Sequence, residues 1–174
     1  MEVAGLVPGP VVAALVFVEA RSLGLSPGSR TVHVIGIAMA PTIDDGDYVL
    51  FRPYGTASPA VGDIILMRDP YDPSREFIKR IVATPGQTIE IRNAKVIVDG
   101  QPLGEPYVSQ EPWTASADWP LGRSAVTLGA GEYFVLGDNR NHSADSRVFG
   151  PIRRGEISGR AVRILLPSAR ARDL

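Results

Sequence analysis

The 174-residue chain contains no cysteine, which removes disulfides, thiolate chemistry and zinc–thiolate sites together. Compartment is left open, because a chain of this length can bury a core without staples. Lysine is scarce as well: Lys79 and Lys95 are the only two, and arginine carries the remaining positive charge. The net charge is −1 with no acidic or basic block, so nothing marks a nucleic-acid partner or an acidic substrate. A long unbroken apolar run is also missing. The most apolar stretch, Val3 to Ala20, is interrupted by Pro8, Gly9 and Pro10 and runs clear only from Val11 to Val18, whereas a spanning helix wants about 20 residues. Residues 1–29 therefore read either as a short membrane anchor or as a buried first helix or strand. A cleaved secretory leader fits less well, since Glu2 stands where positive charge belongs. Arg21 and Arg30 follow the run and set no clear orientation.

What the chain has in plenty is turn formers, with Gly 18 and Pro 15. They favour short strands and tight loops over long helices, and the 44% apolar content suffices for one cored domain. From Arg30 onward, short β-branched or aromatic runs recur between Gly, Pro, Asp and Asn: Val32 to Ile35, Tyr48 to Arg52, Asp63 to Arg68, Phe77 to Ala83, Thr88 to Arg92 and Lys95 to Val98. They predict antiparallel sheet in a mainly β fold. Asp99-Gly100 predicts a hairpin turn, because glycine tolerates the positive φ required there. A Pro/Gly/Ser-rich stretch carrying Trp113 and Trp119 follows, and residues 103–130 read as an inserted loop or small subdomain. Tyr133 to Leu136 and Ile157 to Leu165 close the core. The expected layout is an apolar segment over 1–29, a β body over 30–166 and a polar, frayed tail over 167–174.

Three clusters carry groups of chemical interest. Gly36 to Ile43 ends an apolar strand and leads into Asp44-Asp45-Gly46-Asp47. Pro41 fixes its own φ and biases Ala40 to extended geometry, so Ala38 and Met39 sit on a stiff loop. Such a loop suits a reactive side chain, but alanine has none, and taken alone the segment is a turn. The aspartates imitate a hard-cation loop; without a downstream Glu and alternating ligands they read better as turn-forming carboxylates. The second cluster is Glu76 to Val82. In a strand, Lys79 shares the face of Phe77 and Ile81, where burial penalises the ammonium and lowers its pKa. A lysine base at neutral pH needs that pKa brought down from about 10.4, a desolvation of about 4 kcal/mol. The commoner arrangement is a solvated lysine whose stem lies on the sheet. The third cluster, Gly137 to Arg147, is dense in hydrogen-bonding groups. Asp145 and Arg147 can pair and stiffen the loop, and Ser143 can donate or accept near a base. Ser143, His142 and Asp138 have the residue types of a triad, yet adjacent Ser and His in one loop seldom face each other productively.

In combination, order and spacing resemble one family. The Gly36 to Ile43 box, the apolar strand with Lys79-Arg80, and the G-D-N-R-x-x-S-x-D-S-R box over 137–147 are similar to those of bacterial type I signal peptidases, the last most specifically. Gly62-Asp63-Ile64-Ile65, Thr84-Pro85-Gly86-Gln87, Val98-Asp99-Gly100-Gln101 and Glu105-Pro106-Tyr107 also look similar, so the resemblance spans about Val32 to Leu165. It implies that residues 30–166 form a signal-peptidase-like, all-β catalytic domain on the extracytoplasmic face of the cytoplasmic membrane. There it would act as a serine endopeptidase that removes signal peptides from exported preproteins. The implied partners are signal peptides and membrane lipid, not nucleic acid, and no metal or organic cofactor is implied. Position 38 is implied as the nucleophile's, Lys79 as the general base and Ser143 as the group orienting it, with Asp138, Asp145, Arg147 and Gly36 in support. A neutral lysine would take the serine proton, an acyl-enzyme would form, and the lysine would then activate water. Val34, Met39, Ile43, Phe77 and Ile78 are implied to line shallow pockets for the small residues of an A-x-A site. The substrate strand would add to a sheet edge.

Two positions depart from the family pattern. Ala38 has no hydroxyl, so the chain as written is expected not to form an acyl-enzyme by this route. Either serine was replaced, or the chain is a natural pseudoenzyme that binds signal peptides without cutting; the intact Lys79 and Ser143 favour replacement. Gly36 stands where some members carry a serine that helps hold the oxyanion, leaving that task to main-chain N–H groups. A LexA-like self-cleaving repressor also pairs serine with lysine on a β fold, but residues 1–30 are too short and apolar for its helix-turn-helix.

Overall fold

The computed structural model describes residues 16–17, 27–108 and 125–174. Most of the expected apolar segment, and the part of the insertion that carries Trp113 and Trp119, lie outside the described residues. Among the described residues, no helix is long and apolar enough to cross a membrane. The strands are β1 (Val16–Phe17), β2 (Arg30–His33), β3 (Tyr48–Arg52), β4 (Ile64–Arg68), β5 (Glu76–Ala83), β6 (Thr88–Arg92), β7 (Lys95–Val98), β8 (Gln101–Pro102), β9 (Val126–Thr127), β10 (Glu132–Leu136), β11 (Ile152–Arg153), β12 (Ile157–Leu166) and β13 (Arg172–Asp173). Among the described residues one short α-helix, α1, covers Ser146–Phe149.

Every pairing is antiparallel, as expected from the alternating runs. The large sheet has the order β1-β2-β3-β12-β4-β5-β10-β11, with β13 added to β12. A second sheet, β8-β7-β6-β9, begins at Thr88, so it recruits three strands ahead of the expected insertion as well as the insertion's far flank. The β7–β8 hairpin turns through Asp99 and Gly100 at φ 50° and 78°, the doubly positive geometry that a type I′ turn demands.

Strand β12 alternates buried and exposed residues along much of its length, the mark of a strand with one solvated face. Strand β5 does not alternate, because from Phe77 to Ala83 every residue is buried. Its Ile78 packs with Val32, Phe51, Ile64 and Ile164 on one side, while Phe77 and Ile81 pack with Ile65, Met67, Val135 and Ile152 on the other. Its end, Val82 and Ala83, joins Ile89, Val96, Phe134 and Leu136 where the second sheet docks. Two cations at adjacent positions of such a strand project to opposite faces and both lose water. This is how the fold sets up the site.

The tail is not frayed. Strand β13 pairs with β12 at Arg163↔Asp173 and Ile164↔Arg172, and Leu174 N–H donates to the Val162 carbonyl at 3.1 Å. Its polar composition suggested solvent, but its arginines find carboxylates and carbonyls on a neighbouring loop, which holds it down.

Candidate active site

Lys79 is 2% exposed. Its ammonium donates to the Ile78 carbonyl at 3.0 Å and lies 5.0 Å from the Phe77 ring centroid. Burial brings its pKa down to about 8, with Asp145 pulling back up and Arg147 pushing further down. The solvated-lysine arrangement is thus excluded by a strand covered on both faces. Arg80, on the opposite face, meets a different fate. It donates to both carboxylate oxygens of buried Asp138 at 2.8 and 2.7 Å and to the Gly62 carbonyl at 2.8 Å, and the Tyr107 ring lies 3.8 Å away. A bidentate, charge-assisted pair of this kind pins β5 to the polar loop that follows β10.

That loop, residues 137–147, is built around Asp145. The Asp145 carboxylate accepts from Gly137 N–H at 3.0 Å and from the Arg147 guanidinium at 2.8 and 2.9 Å. It also caps α1 through Arg147 N–H, a favourable end for a carboxylate. Arg140 reaches back to the Gly137 carbonyl at 2.9 Å and pairs with Glu105. The expected Asp145–Arg147 pair is present, whereas the Ser143-His142-Asp138 triad is not. His142 is exposed and bonds Asn139 at 3.1 Å, and Asp138 is taken by Arg80. The Ser143 hydroxyl is buried with no hydrogen-bond partner among the described residues.

The Gly36–Asp47 loop completes the arrangement. Asn139 N–H donates to the Ala38 carbonyl at 3.0 Å, joining it to the 137–147 loop. Gly137 sits in the seam: a Cβ there would lie 2.2 Å from Ser143 Oγ and 2.5 Å from the Ala38 carbonyl oxygen. Val34, Gly36, Ala38 and Met39 line one small cleft of about 30 Å³ together with Glu76, Phe77, Ile78 and Lys79. Four of the five expected pocket residues therefore line it. Ile43 does not; it is fully buried among Val34, Met39 and Ile78. Gly36 N–H donates to Asp45 at 2.7 Å, so that N–H is committed to holding the loop rather than to an oxyanion. The aspartates hold turns as expected, with Asp47 accepting from Asp44 N–H at 2.9 Å. A larger cavity of about 600 Å³ opens between Arg52, Asp63, Arg80 and Arg160, and includes neither Lys79 nor Ala38.

Residues 7–166 match the family described as signal peptidase, peptidase S26. The chain belongs to the signal peptidase family. Across 142 residues it is 39% identical to the probable signal peptidase I-1 of Synechocystis sp., covering 76% of this chain and 69% of that one. Signal peptidase I of Leptolyngbya laminosa is 35% identical over 167 residues, covering 88% and 79% respectively. The crystal structure of a signal peptidase I from Enterococcus faecalis superposes with a TM-score of 0.50 at 31% identity, covering 63% of this chain and 97% of that one. The mainly antiparallel fold of this family member agrees with that likeness. Its sequence assigned roles within the site to Lys79, Ser143, Asp138 and Asp145, but not to Arg80, Gly137 or Arg140. Position gave no signal for Arg80, since its burial follows only from β5 being covered on both faces, and a cation so buried must be paired.

Proposed function

We propose that this chain is a signal peptidase I, an endopeptidase of the cytoplasmic membrane whose catalytic domain, residues 30–166, faces outward and cuts signal peptides from exported preproteins. Position 38 is the nucleophile's, Lys79 is the general base, and Ser143 orients it. The observation that carries this reading is the Lys79 ammonium, stripped of water and lining the same cleft as Ala38. A base must be neutral to accept a proton, and at a pKa of about 8 about a tenth of the lysines are neutral at pH 7. The partnerless Ser143 hydroxyl supports its role as a group kept for the lysine, since a buried orphan hydroxyl is costly otherwise. A cleft of about 30 Å³ suits a methyl-sized side chain, in keeping with A-x-A sites. Asp138, Asp145 and Arg147 hold the frame, and membrane lipid completes the setting.

With Ala38 the acyl-enzyme has no oxygen through which to form, so the chain as written binds signal peptides without cutting them. Changing Ala38 to Ser is expected to yield cleavage of a preprotein bearing an A-x-A site, read by gel shift and by the new N-terminus. No cleavage by the folded Ala38→Ser chain rejects the peptidase reading. Signal-peptide binding that persists in both forms without cleavage supports a pseudoenzyme instead.

A further inference from the structure

The loop between β2 and β3 carries position 38; Met39 and Ile43 seat its middle in the core and Asn139 N–H holds the Ala38 carbonyl, while its acidic end, Asp44 and Asp47, faces the tail. Its neck is closed by Val34 N–H to the Asp47 carbonyl at 2.8 Å and Gly46 N–H to the Val34 carbonyl at 2.9 Å, and its interior holds one helical-type turn, Ile43 N–H to the Met39 carbonyl at 3.0 Å. The Asp47 carboxylate lies inside this loop, 1% exposed, and a buried carboxylate needs a cation. The cation comes from far along the chain. Arg170 donates through Nε to both Asp47 oxygens at 3.0 and 3.2 Å and through a terminal nitrogen to one of them at 3.1 Å. Its other terminal nitrogen pairs with Asp44 at 2.8 Å, and a longer contact of 3.4 Å reaches the Pro41 carbonyl. Arg172 adds a bond to the Thr42 carbonyl at 2.5 Å.

The other end of this clamp is fixed. Strand β4 pairs with β12 as far as Arg160; β13 pairs with β12 further on, at Arg163 and Ile164. The Arg163–Asp173 ion pair at 2.7 Å reinforces it. We propose that residues 167–174 form a strap that ties the nucleophile loop to the central sheet, with Arg170 as its positioning residue. The inference rests on reading position 38 as the nucleophile's. Arg170 touches no reacting atom; it acts by fixing Asp44 and Asp47, and through them the distance from position 38 to Lys79. A planar, forked guanidinium can span two carboxylates and a carbonyl where an ammonium cannot.

In the Ala38→Ser chain, Arg170→Ala is expected to lower kcat for preprotein cleavage by roughly tenfold to a hundredfold. KM is expected to change less than kcat, because the Phe77 and Ile78 side of the cleft is untouched while only Met39 and its neighbours move with the loop. Arg170→Lys is expected to recover part of the rate, as an ammonium pairs with Asp47 but does not bridge to Asp44. A folded Arg170→Ala variant with unchanged kcat overturns the strap. Should the Ala38→Ser parent itself fail to cut, the peptidase reading falls, and the strap is read in the unaltered Ala38 chain by amide hydrogen exchange. There, Arg170→Ala is expected to speed exchange at Ile43, Asp44 and Gly46 by about tenfold or more, with β5 and β10 unchanged. Equal exchange in the loop overturns the proposal. If Arg170→Ala does not fold, Arg172→Ala removes only the Thr42 contact, and it must show the same loop-confined increase at smaller amplitude or the strap is wrong.

Discussion

Gly137 shows how closely the parts of the site abut. Its α-carbon occupies the seam between Ser143 and the Ala38 carbonyl, and any Cβ would intrude to 2.2 and 2.5 Å, distances no side chain or backbone tolerates without moving. In the serine-bearing chain, Gly137→Ala is expected to push the two loops apart and reduce cleavage by about a hundredfold or more, while costing about 1–3 kcal/mol of stability. Steady-state kinetics beside a urea titration check this, and a full-rate variant would show that the seam is slack. This residue's importance was not legible in the sequence. Gly137 reads there as the first letter of a polar box, and the clash that makes it obligatory involves atoms 6 and 99 positions away along the chain. Lys79 was half legible: its face followed from period two, but its burial required knowing that β5 is covered on both sides.

At the level of elements, β5 and the 137–147 loop are joined by the Arg80–Asp138 pair, and the two partners are almost completely buried. Removing one partner strands the other charge away from water, so Asp138→Asn is expected to cost about 3–5 kcal/mol. By contrast, the exposed Arg163–Asp173 pair is screened, and Asp173→Asn should change stability by less than about 1 kcal/mol. Chemical denaturation of the two variants side by side measures the contrast, and similar losses would mean that the Asp138 pair is not the tie described. Elements themselves were well signalled. Tyr48–Arg52, Thr88–Arg92 and Lys95–Val98 fall where their runs of β-branched and aromatic residues predict, and Asp99-Gly100 turns as its positive φ values require. The tail was not signalled, because Arg170 and Arg172 look like solvated charges until Asp44, Asp47 and the Thr42 carbonyl are brought beside them.

At the scale of the whole molecule, the buried lysine sets a pH dependence of stability. Its ordinary pKa of 10.5 applies in the unfolded chain, and about 8 in the folded one. Below about pH 8 both states hold the proton and the full cost of burying the charge is present. Between about 8 and 10.5 the unfolded state binds more protons, so folding gains up to about 3 kcal/mol as pH rises through that window. Lys79→Met has no such cost. It is expected to be the more stable chain at pH 7, with the advantage shrinking toward pH 10.5; thermal melts of both proteins across that range test it, and a constant gap would mean that the ammonium is not desolvated. The same lysine divides what was readable from what was not. Residue order alone determined the class of fold, because alternating runs between turn formers leave antiparallel sheet as the way to bury them, and the three spaced boxes pointed to the family. Tertiary structure alone decided which groups meet. Packing within the large sheet covers both faces of β5, the return of β10 brings Ser143 and Gly137 to Ala38, and the tail carries Arg170 to Asp47. Contacts between residues distant in sequence follow from packing, which local patterns do not encode.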